Sequence, residues 1–303
     1  MRIRQMLQAG FAVAVMLVGG GAVAPAHADH PIIMPVRSDD LAGVQKCYDD
    51  PQSSAFCDKC AGPNNYNPSL TNYVILRETL KAGGMPVRLV GIDSPNSARS
   101  RLMVETGVAT VKADWDFNMD GNNQLLKSDP FIEAGLLFKG LYGLADNEAL
   151  QKAADIGDVK DLSAVMNPNW RLDWQVLQAM EITDLYPVST KSQMFRLVAR
   201  HRADFTLLEF SPRPDLMQEY DGIKLVPVVG VKVAMPNAQH FMVSRKSPRA
   251  QEIVAALNRG LQILKQTGLI SQCLAQGGLV NASTRDWQVL NTRDLDGNGQ
   301  RLF

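Results

Sequence analysis

The chain has 303 residues, with 31 lysines and arginines balanced by 31 acids, 46% hydrophobic residues and a mean hydropathy of −0.11. That composition excludes a disordered chain, which would be poor in apolar residues and rich in net charge. The even balance also argues against nucleic acid as the main partner, since phosphate binding needs a basic surplus.

The first 28 residues read as a leader rather than as part of a fold. Arg2 and Arg4 form a positive start, Phe11 to Val18 an apolar run, and Ala26-His27-Ala28 the small residues a signal peptidase reads. Gly19, Gly20, Gly21 and Pro25 break the run too early for a bilayer span, and no later stretch is long and apolar enough for one. The expectation is an exported protein cleaved near Ala28, with no membrane insertion afterwards and a mature net charge of −2 once Arg2 and Arg4 are lost.

In an oxidising compartment the four cysteines, Cys47, Cys57, Cys60 and Cys273, read as disulfide partners, with three complete pairings open. A zinc site would need a second knuckle, and none is present. The pair Cys57 and Cys60 has redox-motif spacing but lies in a Pro/Asn-rich stretch rather than at a strand-to-helix junction, so a thiol redox protein is only an alternative.

Ile32 to Val36 predicts a buried first strand, followed by a Cys-bearing stapled loop. A helix begins at Ser69 or Thr71, buries Tyr73, Leu76 and Leu80 on one face and stops at Gly83-Gly84. Val87 to Ile92 is a strand, Asn96 or Ser97 opens a helix ending at Gly107, and Val108 to Ala113 is a strand. This alternation predicts a largely parallel sheet covered by helices. Further on, Leu136 to Leu144 is a glycine-punctuated strand. Helices follow at Asp146 to Ala154, Leu172 to Met180 and Ser192 to Arg200, with strands at Phe205 to Phe210, Ile223 to Val229, Val231 to Met235 and Phe241 to Val243. Ser247-Pro248 reads as the start of a last long helix that closes at Gly268.

Three segments carry a family resemblance. Phe195 to Phe205 looks like a helix leading into a Gly-Arg-x-Asp-Ala strand, with His201 in the glycine position. His240 to Pro248 looks like a return strand with a Ser-Pro turn. Leu261 to Ile270 looks like a closing turn before a final helix. Together they resemble the type 2 periplasmic solute-binding proteins, specifically the family 3, polar amino-acid type, over about Val87 to Gly278. The resemblance implies an α/β fold of two lobes, two mixed sheets joined by two crossover strands, with an amino-acid-like ligand held between them. The implied bounds are 29–139 for the first lobe, with a Cys-bearing insertion at 47–60, then 140–232 for the second and 233–303 for the return with C-terminal helices. It also implies a periplasmic location, an ABC-type permease or a sensor as partner, a monomer, and no cofactor. Because the C-terminal helices of that fold return to the first lobe, Cys47 is expected to pair with Cys57 or Cys60, leaving the other for Cys273.

Counting along the same resemblance places Glu209 where the family takes a ligand amine, at the end of the strand after Asp204. Trp115, flanked by Asp114 and Asp116, falls where the family places a stacking aromatic; Tyr142 sits at the first crossover, and Trp170 begins a helix whose N-terminus favours anions. Asp114, Trp115, Tyr142, Trp170 and Glu209 are therefore the candidate ligand residues. The family's carboxylate-clamping arginine is expected midway along Asp116 to Asp129, but no arginine occurs there. That absence predicts a small cationic or neutral polar solute in preference to an α-amino acid. Glu209→Gln is expected to weaken binding while sparing the melting temperature of the empty protein. Asp116-x-Asn118-x-Asp120-Gly121 and Asp294-x-Asp296-x-Asn298-Gly299 resemble half of a calcium loop, but such clusters are common turn formers, and no metal site is expected. A hydro-lyase-like enzyme on the same fold, using acids such as Asp114 and Glu209, is the other alternative; there is no Gly-x-Ser-x-Gly or His-Glu-x-x-His motif to support it.

Overall fold

The structure is a computed structural model and describes residues 31–49, 57, 68–277 and 279–292. The leader and the Asp294 cluster lie outside the described residues, as does Cys60.

The first strand, β1 (Ile32–Arg37), lies parallel to β2 (Leu89–Ser94), with helices α1 (Ser38–Asp49) and α2 (Pro68–Ala82) between them in sequence. Ser38–Asp49 is thus helical where a stapled loop is expected. The cysteine content masks a short helix that packs on β2 and α2. Helix α2 buries Tyr73, Leu76 and Leu80. Helix α3 (Ser97–Thr106) starts where Asn96 accepts from the Arg99 N–H and stops at Gly107, whose φ of 81° suits a residue without Cβ. Strands β3 (Val111–Trp115) and β4 (Leu125–Ile132) follow.

The chain then crosses on β5 (Leu137–Gly143) into a second lobe. There it forms two short helices, α4 (Glu148–Gln151) and α5 (Ile156–Lys160), and continues through β6 (Ala164–Met166), α6 (Arg171–Ala179), β7 (Leu185–Pro187), α7 (Lys191–Ala199), β8 (Phe205–Glu209), β9 (Gln218–Tyr220) and β10 (Ile223–Pro227). Strand β11 (Val231–Met235) carries it back, antiparallel to β5, with Val233 opposite Lys139. Strand β12 (Gln239–Ser244) then pairs with both β3 and β4 in the first lobe. Helices α8 (Ala250–Gln266) and α9 (Leu269–Gln276) follow, and β13 (Gln288–Val289) joins the edge of β11. Ser247-Pro248 does not cap α8. The Ser247 N–H donates to the Ser244 carbonyl and the Ala250 N–H to that of Ser247, so the pair forms a turn ahead of the helix.

His201 has a φ of 51°, a left-handed conformation in the place where the resembled motif has glycine. Three residues on, Asp204 accepts from the Ser163 N–H and hydroxyl and from Asn147, fixing the start of β8 against β6.

Helices α2 and α8 touch backbone to backbone. A Cβ at Gly260 would lie 1.9 Å from the Thr79 carbonyl oxygen, and one at Gly83 equally close to that of Ala256. Helix propensity alone would make Gly260→Ala stabilising by about 1 kcal/mol. The contact should reverse the sign, with a net loss of about 1–3 kcal/mol as the helices are forced apart. A denaturant melt checks this, and a higher midpoint for the variant would refute the close-packing account.

Candidate functional site

A cleft of about 630 Å³ lies between the lobes, lined from the first by β1, α1, α3 and β3 and from the second by β5, α6, α7 and β8. It brings together four of the five candidate residues: Asp114 and Trp115 from the first lobe, Trp170 and Glu209 from the second. Tyr142 does not line it. That side chain is fully buried, its hydroxyl donating to the Leu216 carbonyl 2.8 Å away and accepting from the Ser211 N–H, so it holds the second lobe together.

Glu209 is not alone. Lys139 stands directly opposite it across the β5–β8 pair, and cross-strand neighbours place their Cβ atoms within about 5.5 Å. The Lys139 ammonium, 3% exposed as a residue, lies 3.0 Å from Glu209 Oε1, donates to Asp173 on α6 and sits 5.9 Å from the centre of the Trp170 ring. Burial works to raise the Glu209 pKa, but Lys139, together with a backbone hydrogen bond and the charge of Lys191, outweighs it and holds the carboxyl below its ordinary value. Burial works against the Lys139 charge, and the two acids more than offset this, so the amine stays protonated. Asp173 is pushed up by burial, with Glu209 adding to the effect, because two acids share one lysine. The expectation that Glu209→Gln spares the empty protein therefore changes, since the substitution removes one of Lys139's two partners.

On the facing lobe Asp114 is equally engaged. Its carboxylate takes Lys112 at 2.8 Å, the Asn118 amide at 2.8 Å and the Trp115 N–H, with Arg101 at 3.9 Å. Burial opposes its charge, and Lys112 and then Arg101 outweigh burial, leaving the pKa lowered. Arg171 reaches across from α6 to donate to Asn118 and lies 5.0 Å from the Phe117 ring centre. The Asp116 cluster is a turn: Asp116 accepts from the Phe117 N–H and from Asn237, and Asp120 pairs with Lys127.

The arginine missing from Asp116 to Asp129 is made up by cations from other elements, and seven lysines and arginines line the cleft against five acids. Two of these cations, Arg101 and Lys191, have no hydrogen-bond acceptor among the described residues. The side chain of Arg101 is 15% exposed. Lys191 opens α7 and lies over the Tyr220 and Phe195 rings at 5.2 and 5.6 Å; burial draws its pKa down, with Glu209 opposing. Lys139, Arg101 and Lys191 were not singled out by sequence reasoning. For Lys139 a signal exists, a lone charge in the apolar strand Leu-Phe-Lys-Gly-Leu-Tyr-Gly; for the other two there is none.

Cys57 forms a disulfide with Cys273 on α9, across 216 residues of chain. Cys57 is thus not the partner of Cys60, which removes the basis for a Cys57/Cys60 redox dithiol.

Two lobes, paired crossover strands and a charged cleft between them define the fold of the type 2 periplasmic solute-binding proteins, and this chain has that fold. A histidine kinase sensor domain with similarity to periplasmic binding proteins is similar to it over 83% of this chain and 97% of that domain, at 16% identity and a TM-score of 0.53. The probable amino-acid ABC transporter extracellular-binding protein ytmK from Bacillus subtilis is similar over 67% of this chain and 85% of its own, at 13% identity and a TM-score of 0.51. The GluR0 ligand-binding core in complex with L-glutamate is similar over 69% and 89%, at 11% identity and a TM-score of 0.50. No protein-family model matches the sequence, and no curated protein matches it.

Proposed function

We propose that this protein is a periplasmic solute-binding protein that captures a small polar organic solute between its lobes and presents it to an inner-membrane permease or a sensor. One observation carries the reading: a single cleft is lined from both lobes, with Trp115 on one wall and Glu209 and Trp170 on the other. Closure then follows from the solute's contacts with both walls, which favour the closed state over the open one. Trp115 offers a flat apolar face, and Glu209, with 23% of its side chain exposed, accepts a hydrogen bond from a ligand hydroxyl or amine. The lobe bounds 29–139, 140–232 and 233–303, the leader ending near Ala28 and a monomeric state belong to the same reading. Binding is favoured over hydro-lyase chemistry because Asp114 and Glu209 are ion-paired with lowered pKa values, which makes them poor proton acceptors near neutral pH.

The test is calorimetry on the mature chain across polar metabolites, followed by Glu209→Gln with the ligand found. Affinity should fall about ten- to a hundredfold, the loss expected for one charge-assisted hydrogen bond. The empty variant should melt slightly lower than the parent. Ligand consumed during titration, or affinity unchanged by the substitution, would overturn the reading.

A further inference from the structure

The charge arrangement of the cleft carries the reading further, to the class of solute; this step rests on the binding function proposed above. Of the three acids on the second-lobe wall, Asp173 and Glu209 already share an internal ammonium, that of Lys139, and the third, Glu219, is exposed to solvent. On the first-lobe wall, Lys112 and Arg101 share the single carboxylate of Asp114, and Lys112 takes the short contacts. Arg101 is left with a 3.9 Å ion pair and, among the described residues, no acceptor for its guanidinium donors. Lys191, on the opposite wall, has aromatic rings beneath it and neither an acid within ion-pair distance nor a hydrogen-bond acceptor among the described residues. The remaining cations of the cleft are engaged: Arg37 with Asp40, Arg213 with Asp215, and Arg171 with Asn118.

We propose that the cleft takes an organic acid anion, its carboxylate clamped between Arg101 of the first lobe and Lys191 of the second, with no ligand amine required. The guanidinium supplies the planar two-pronged donor that suits a carboxylate, and the ammonium supplies a point charge from the other side. Because the two cations stand on different lobes, the anion gains both contacts only when the lobes close, which couples recognition to closure. A hydroxyl on the acid would meet Glu209. This reverses the preference for cations inferred from the stretch Asp116 to Asp129, because the arginine comes from α3 instead.

The test is a thermal-shift and calorimetry panel on the mature chain at low ionic strength. It uses succinate, malate and citrate as carboxylates, putrescine and spermidine as cations, glycine and glutamine as zwitterions, and glucose as a neutral solute. At least one carboxylate should stabilise the protein more than any cation or neutral solute. Arg101→Gln and Lys191→Gln should each weaken that carboxylate about tenfold or more while remaining folded by circular dichroism. Arg101→Lys, which keeps the charge without the fork, should recover only part of the loss. Tightest binding of a polyamine, glucose or a zwitterion overturns the anion proposal and leaves the binding function standing. Carboxylate affinity that is indifferent to both substitutions overturns it in the same way. No binding by any class overturns both.

Discussion

Lys139→Met is expected to destabilise the empty protein by about 3–5 kcal/mol, because it removes the ammonium shared by the buried Asp173 and the partly buried Glu209 and leaves their charge uncompensated. For a chain of this size that is a fall in melting temperature on the order of ten degrees. Removing all three charges together, as Lys139→Met, Asp173→Asn, Glu209→Gln, should recover most of the loss, since no buried charge is then left without a partner. The pH dependence has a definite sign. Glu209 titrates below its ordinary value, so its contribution is present above the unfolded pKa of about 4.5 and is lost as pH falls through the lower folded value. Lys139→Met has no such contribution to lose, so the gap between the two melting curves should narrow below about pH 4.5. A variant melting within about two degrees of the parent at neutral pH would show that the cluster contributes little to stability.

Removal of the disulfide by Cys57→Ala, Cys273→Ala should cost about 2–5 kcal/mol. The bridge closes a loop of 216 residues, and the chain-entropy account gives about 5 kcal/mol for a loop that long. Both residues are buried, so alanine is the least disruptive replacement. Denaturant melts read the loss, and reduction of the parent, which also opens the expected Cys47–Cys60 pair, should cost at least as much; an unchanged midpoint would mean that the unfolded chain is held compact by something else. Peptide mapping of the unreduced protein should recover Cys57 linked to Cys273. Thiol titration of the unfolded, unreduced chain should find close to none, which leaves Cys47 and Cys60 as the expected second pair.

Much of the fold is legible in the residues because its signals are local. Asn96 and Gly107 mark the ends of a helix by side-chain and backbone chemistry that needs no neighbour. The segment Val231 to Met235 is the crossover strand β11, with the same bounds, because four of its five residues are apolar, as a strand buried on both faces requires, and Lys232 is buried with its ammonium donating to the Thr284 and Arg285 carbonyls. The short strands β6, β7 and β9 escaped, since three residues carry no period and exist only through their partners.

The candidate site divides in the same way. Trp115, Trp170, Asp114 and Glu209 sit at the ends of elements whose order the sequence reveals, and they reach one cleft because strand ends on the two lobes face each other. What each acid does there was decided by tertiary structure. Glu209 is neutralised by a lysine 70 residues earlier, through a strand register that no spacing announces. Tyr142, an aromatic at a crossover, points into the second lobe instead, where the Leu216 carbonyl takes its hydroxyl. Arg101 and Lys191 bear charges that look like ordinary solvated helix positions, and only the closing of two lobes around them makes them cleft cations. Local chemistry thus sets where elements begin and end, while the sign of the charge offered to a ligand depends on which partners the packed chain leaves unpaired.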